Sequence, residues 1–349
     1  MRWFKQQGWQ VDYASPGDEQ VLDADNHYIV NITRKPFSLR NIKAIKVLQK
    51  LFNENQYDII HCHTPVPAAI TRIVSEKSRK KGSKIIYTAH GFHFYKGAPI
   101  INWIFYSTIE KILVKYTDAL ITINDEDYNY AVQKLSKYTV IYKINGVGVD
   151  LSRFCQNPLN RKMNLRKEMG YKDDDFILIF VAEINKNKNQ IYFLKYLNNI
   201  IREIPNIKIL FAGYDNYKYV WDYAKKRKLI SYIDFLGYRS DIERYYTISD
   251  ICFSVSRREG LPVNILEGMA SGLPVVCSKN RGHNELITHG RNGFLFDLKN
   301  PLSMADSIAK LFNDADMRHE IAVNNIHDVK KYSVDIVVEK MANIYKQYM

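Results

Sequence analysis

Short, unbroken apolar runs alternate along the chain with longer stretches in which apolar residues recur every three or four positions. The runs at 57–62, 84–89, 119–123 and 139–144 read as buried strands. Between them, 67–80 and 101–116 have the spacing of helices. A second series follows, with strands expected at 176–181, 208–212, 233–236, 251–255, 274–277 and 293–296. Apolar strands joined by helices predict parallel sheets covered on both faces, an α/β architecture. The opening MRWFKQQGWQVDYASPG differs. It reads as the tail of an amphipathic helix stopped by Gly8, then a strand over 10–14, so the first series is expected to lack its opening strand.

At 349 residues the chain exceeds what one core organises, so two domains are expected. The stretch NGVGVDLSRF and the polar run QNPLNRKMN after it mark the junction. We therefore expect one domain over 1–153 and a second over 154–349, whose last helix, near 333–348, is long enough to return to the first. With 46% hydrophobic and 25% charged residues the composition is that of a globular protein, and no apolar run approaches the ~20 residues of a spanning helix.

The formal charge of +13 favours anionic partners: nucleotides, phosphates, acidic lipid surfaces or nucleic acid. The excess is shared by both halves and no aromatic-basic motif accompanies it, which makes nucleic acid the weakest of these. Cys62, Cys155, Cys252 and Cys277 lie far apart, as expected of reduced thiols in a cytoplasmic protein. The run His61-Cys62-His63 invites a metal reading, but neighbouring side chains on a strand face opposite ways and cannot close one site.

The densest chemistry lies in REGLPVNILEGMASGLPVV, which reads as loop, helix and strand. Pro262 suits a first helical turn, and Gly272 with Pro274 suits its exit. The N–H groups at that helix start would form an anion site at the carboxyl edge of a parallel sheet, of a size for a diphosphate. Glu259 lies ahead of those groups and Glu267 further along the helix. Carboxylates accept well from sugar hydroxyls, so the pair could bracket a sugar on one side of the diphosphate and a ribose on the other. Spacing alone leaves a plainer reading open, a surface-loop glutamate and an ordinary helical one.

The same stretch, followed by GHNELI and GRNGFLF and preceded by FLGYRSDIERYYTISDICFSVS, resembles the signature of retaining family 4 glycosyltransferases. In the first half the resemblance extends through IIHCHTP, YTAHGFHFYKG and VGVDLSRF. The details YTAHGFHFYKGAP, AEINKNKNQ and SRREGLPV are most similar to bacterial enzymes of capsular and extracellular polysaccharide synthesis. The resemblance implies the GT-B fold, two Rossmann-like domains facing each other across a cleft. It implies transfer of a sugar from a nucleotide-sugar, a UDP-sugar in expectation, to a lipid-linked saccharide, with retention of configuration and without a cofactor or catalytic metal.

By the same resemblance, Glu259 contacts the donor sugar, Glu267 the ribose, and the backbone of Gly260, Leu261, Pro262 and Val263 the phosphates. His90 is implied to face the transferred sugar, with His61, His63 and His93 as weaker candidates. His90, Glu259 and Lys188 form the implied catalytic set. The family's G-R-x4-K pattern would align with VAEINKNKNQ, leaving Glu183 in place of the arginine and keeping Lys188. An acidic residue cannot neutralise phosphate, so Lys186 is a candidate substitute. Gly213 is implied where the backbone nears the donor, and Tyr238 and Arg239 in the base-recognition loop. Gly268 departs from the family's usual alanine, at about 1 kcal/mol in helix propensity.

Asp125 to Asp127 and Asp173 to Asp175 read as a helix start and a solvated loop rather than a metal motif. The helix over 101–116, with Lys111 and Lys115 among its aromatics, is a candidate for peripheral contact with the inner face of a membrane, against the alternative of a buried helix. Two rival functions remain: a truncated, non-catalytic nucleotide-sugar-binding protein, which the missing strand favours, and a GT-B sugar-nucleotide epimerase.

Overall fold

A computed structural model describes residues 1–17, 23–33, 35–36, 38–214 and 218–349. They form two units, Met1–Ile144 with Val338–Met349, and Asn145–Val337.

In the first unit β1 (Asp12–Ser15) and β2 (Asn26–Ile29) pair in parallel as a sheet of their own. β3 (Ile59–His63), β4 (Lys84–Ala89), β5 (Ala119–Thr122) and β6 (Val140–Lys143) form a parallel sheet in that order. Ile85 to Ala89 are all buried, as a strand covered on both faces requires. The helix expected over 67–80 is two, Pro65–Val74 and Glu76–Lys80, broken at Ser75. Pro65 sits in the first turn and draws the start forward. The helical stretch beginning at Ile100 contains a π turn, Trp103–Ser107, and then Thr108–Leu113 and a closing 3₁₀ turn, Val114–Tyr116. Its acidic residue, Glu110, turns inward to Arg72 at 2.9 Å, both side chains being buried.

The second unit has one parallel sheet built from β7 (Phe176–Val181), β8 (Ile207–Ala212), β9 (Ile233–Gly237), β10 (Ile251–Ser254), β11 (Val275–Ser278) and β12 (Phe294–Phe296). The strand order is β12-β11-β10-β7-β8-β9. The chain runs outward from β7 to one edge, returns beside β7 with β10 and runs outward the other way. Order therefore reverses between β7 and β10, where parallel α/β sheets place ligands at the carboxyl ends of the strands. Phe253 of β10 packs against Phe193 at 4.4 Å and Phe180 at 5.3 Å, closing the core beneath that point.

The junction falls after Ile144 rather than near Arg153. Val149 exchanges backbone hydrogen bonds of 2.9 Å with Tyr332 and Val334, and Phe154 lies edge-on to Tyr246, which fastens this stretch to the second unit. The closing helix Val334–Lys346 leads back, and from Val338 onward the chain belongs to the first unit. There the Tyr345 ring packs 4.8 Å from that of Phe4, and its hydroxyl bonds His61.

Candidate active site

The loops leaving β7 and β10 flank the reversal point, and polar side chains join them. Asn185 Oδ1 accepts from the backbone N–H of Asn187 and of Lys188, both at 2.9 Å, a turn that presents Lys188. Arg257 donates its N–H to Asn187 O at 2.8 Å, and the Asn187 side-chain amide donates to Arg258 O at 3.0 Å. The result is a fixed, half-buried ion pair, Lys188 Nζ to Glu259 Oε1 at 2.6 Å. Glu183 and Lys186 lie on the same loop but are exposed.

Glu259 is backed by the helix Arg281–Leu286. A Cβ on Gly282 would lie 2.8 Å from Glu259 Cβ and from Gly260 O, so only glycine lets the helix approach so closely. Arg281 Nε donates to Glu259 O at 3.2 Å. Beneath them His283 is fully buried, its Nδ1 lying 2.6 Å from Ser278 O, and burial pushes its pKa down to about 4, so it is neutral.

Past Glu259 the chain enters the helix Val263–Ala270 through buried Leu261 and Pro262. No side chain caps its start, so its first N–H groups are presented outward with the positive end of the helix dipole. Glu267, on the same helix, accepts from Tyr246 OH at 3.0 Å. Burial holds its carboxyl up at about 7, with the Tyr246 bond and the charge of Arg153 pulling the other way.

The remaining donor-side candidates surround β8 and β9. Gly213 has φ +151° and donates its N–H to Gly237 O at 2.8 Å; a Cβ there would lie 2.3 Å from Ala182 O. Tyr238 is mostly exposed and stacks on Tyr214 at 4.8 Å with 18° between planes, a flat surface suited to a nucleobase. Arg239, by contrast, makes two 2.9 Å bonds to Asp241, so its guanidinium is occupied within its own loop.

In the first unit, His90 follows β4 and lies 3.1 Å, Nε2 to Nδ1, from His63 at the end of β3. His61 occupies the same face, its ring 4.1 Å from that of His63, while Cys62 points into the core. His93 turns to Tyr106, ring to ring at 4.9 Å. Desolvation keeps His61, His63 and His90 below the ordinary imidazole range, and mutual repulsion adds to this at His61 and His63. Among the described residues no group of three His, Cys, Asp or Glu side chains is arranged to hold a metal ion.

Three contributors escaped the sequence. Tyr246, Asn187 and Asp127 each act through a residue the motif does name, or through its loop. From the sequence, Asp127 is simply part of a helix start. It is buried, and its Oδ2 accepts from Phe92 N–H at 2.9 Å, which fixes the turn carrying His90. An acidic run beginning a helix gives no sign of which carboxylate turns inward.

Two Rossmann-like α/β units, the second with an uncapped helix start at a strand-order reversal, define the class, and comparison with solved structures agrees. Anabaena HepE in complex with UDP and glucose superimposes with a TM-score of 0.77 at 18% identity, covering 97% of this chain and 100% of that one, which shows the GT-B fold. The family described as "Glycosyl transferases group 1" matches residues 162–328, and "Glycosyl transferase 4-like" matches residues 1–124. A protein of Bacillus subtilis (strain 168) named as glycosyltransferase EpsD is 37% identical over 349 residues, covering 100% of this chain and 92% of that protein. The chain belongs to this glycosyltransferase family. An Escherichia coli relative, UDP-Gal:alpha-D-GlcNAc-diphosphoundecaprenol alpha-1,3-galactosyltransferase, is 27% identical over 337 residues, covering 90% of this chain and 84% of that protein.

Proposed function

We propose that this glycosyltransferase moves a sugar from a UDP-sugar to a lipid-linked saccharide in bacterial surface-polysaccharide synthesis, with retention of configuration. The observation that supports it most is the Lys188–Glu259 pair beside the start of the helix Val263–Ala270. It joins a cation for phosphate, a carboxylate for sugar hydroxyls and a row of backbone donors within one half-buried patch. In this reading the diphosphate lies on the N–H groups of Gly260, Leu261 and Val263, with Pro262 shaping the turn and Lys188 neutralising the charge that develops on the leaving group. Glu259 holds the transferred sugar, Glu267 the ribose, and the Tyr214–Tyr238 surface the base. Glu183 contributes no cation, and Lys186 is an exposed second cation on the same loop. Within the first unit, His90 is the candidate for contact with the sugar.

Retention follows when the acceptor hydroxyl attacks from the face the diphosphate leaves. The bond from the anomeric carbon to the diphosphate breaks, the bond to the acceptor oxygen forms, and the acceptor proton passes to a donor phosphate oxygen. Neither an enzyme nucleophile nor a metal is needed for that step. The relatives support the choice of substrates: one is named for UDP-Gal and a diphosphoundecaprenol acceptor, and HepE is described with UDP and glucose.

A lipid-linked acceptor calls for peripheral contact with the cytoplasmic face of a membrane. Among the described residues no helix is long and apolar enough to cross one. The stretch 100–116 offers an alternative: Ile100, Ile101 and Ile104 are 78%, 64% and 63% exposed, Lys111 and Lys115 lie outward, and Glu110 is turned in. That is the make-up of a surface resting on anionic lipid.

The deciding experiment is a thermal-shift panel of UDP-, GDP- and ADP-sugars on the protein and its Glu267→Ala variant, followed by transfer assays on a lipid-linked acceptor. Ligand at 100 times its Kd adds about 2.7 kcal/mol. Stabilisation by UDP-sugars that is weakened in the variant is expected; no response to any nucleotide-sugar would overturn the reading.

A further inference from the structure

Strand β3 ends in His61-Cys62-His63, and the alternation of a strand puts both imidazoles on one face. His61 is immobilised, with Nε2 2.8 Å from Thr88 Oγ1 and Nδ1 on the Tyr345 hydroxyl. It forms a wall against which the His63 ring rests. The register of β3 with β4 pairs His63 with Thr88, two residues before His90, and this brings His63 Nδ1 to 3.1 Å from His90 Nε2.

The backbone is strained at this spot. Thr64, next in the chain, has φ +63° and ψ 148°, a region almost reserved for glycine and unfavourable for a β-branched residue. The strand pairing on one side and the helix Pro65–Val74 on the other hold it there.

Two neutral imidazoles sharing a contact must divide the roles of donor and acceptor. If His90 donates from Nε2, both rings adopt the Nε2–H tautomer that free imidazole side chains prefer. The opposite direction would force both into the less stable form. We propose that His63 is a positioning residue for His90: it accepts the His90 Nε2 proton at its own Nδ1, so that His90 presents the lone pair of Nδ1 to a hydroxyl of the transferred sugar. The functional half of this statement rests on the reading that His90 faces the donor; the tautomer itself does not.

The test is long-range 1H–15N spectroscopy of the full chain labelled with 15N-histidine, with His90 assigned by its loss in His90→Gln. The wild type should show His90 as a nearly pure Nε2–H tautomer. His63→Ala should spread the proton over both nitrogens with the melting temperature little changed. His63→Asn, whose amide oxygen reproduces the acceptor, should restore it. An unchanged His90 in His63→Ala, or a wild-type His90 protonated on Nδ1, overturns the proposal. Should His63→Ala fail to fold, the wild-type spectrum and His63→Asn still decide. With UDP-sugar turnover as the second readout, His63→Ala should lower kcat roughly ten- to a hundredfold with the donor KM nearly constant, and His63→Asn should recover most of it. Absence of turnover from every UDP-sugar would count against the transferase reading and leave the tautomer result standing.

Discussion

Lys188 and Glu259 neutralise each other in the free protein, although their proposed ligands are different parts of one donor. Under that proposal a UDP-sugar would satisfy both at once, phosphate for the cation and hydroxyl for the carboxylate, whereas UDP alone would compete with Glu259 for Lys188. Glu259→Gln should therefore bind UDP about fivefold more tightly in titration calorimetry, the equivalent of a part-buried pair near 1 kcal/mol, while sugar transfer falls. Weaker UDP binding in that variant would show the pair to be a scaffold rather than a competitor. Glu267 gives a second prediction. Its carboxyl is raised from 4.5 to about 7 by burial, so the folded protein holds a proton there that the unfolded chain has lost. Its contribution to stability is present below about pH 4.5 and declines as pH rises toward 7, a slope that Glu267→Gln should abolish in denaturant titrations repeated across pH. Ribose hydroxyls prefer the ionised form, so UDP affinity should rise through pH 7 with proton release, and the variant should show neither effect.

Among the elements, the interior strands were legible because both faces are buried: a continuous apolar run leaves little choice, and β4, β7 and β8 lie within a residue of expectation. β2, with asparagine and histidine in NHYI, offered no such run and was missed. The break at Ser75 and the junction at Ile144 escaped because tertiary contacts set them, Val149 pairing with a segment almost two hundred positions away. At the site the glutamates and Lys188 were legible as motif positions, but their pairing with each other and with Tyr246 was not. Gly268 sharpens the point. On propensity alone alanine should gain about 1 kcal/mol. A Cβ there, however, would lie 2.7 Å from both Cβ and Sγ of Cys252 in β10. Gly268→Ala should thus lose about 1–3 kcal/mol net in urea denaturation, and a stabilised variant would mean that helix and strand can separate freely.

At the scale of the molecule, the net charge of +13 and the exposed isoleucines of 100–116 make the proposed membrane contact testable. Flotation with vesicles rich in anionic phosphatidylglycerol should retain the protein, zwitterionic vesicles should retain it less, and Ile104→Glu should release it without changing its UDP response. The division of the chain gives a further prediction. Removing 338–349 should destabilise the first unit, detected through loss of amide protection in β3, and leave the second unit's strands protected. That segment supplies Tyr345, against which Phe4 and Trp9 pack and to which His61 is bonded. The same arrangement constrains biosynthesis. A ribosome reaches the segment only after making the whole of Asn145–Val337, a delay of roughly 10–40 s at ordinary elongation rates. Until then the first-made half waits, unfinished, for the final turns of helix to emerge from the exit tunnel, so nascent chains stalled before them should be far more open to protease in their first half than in their second.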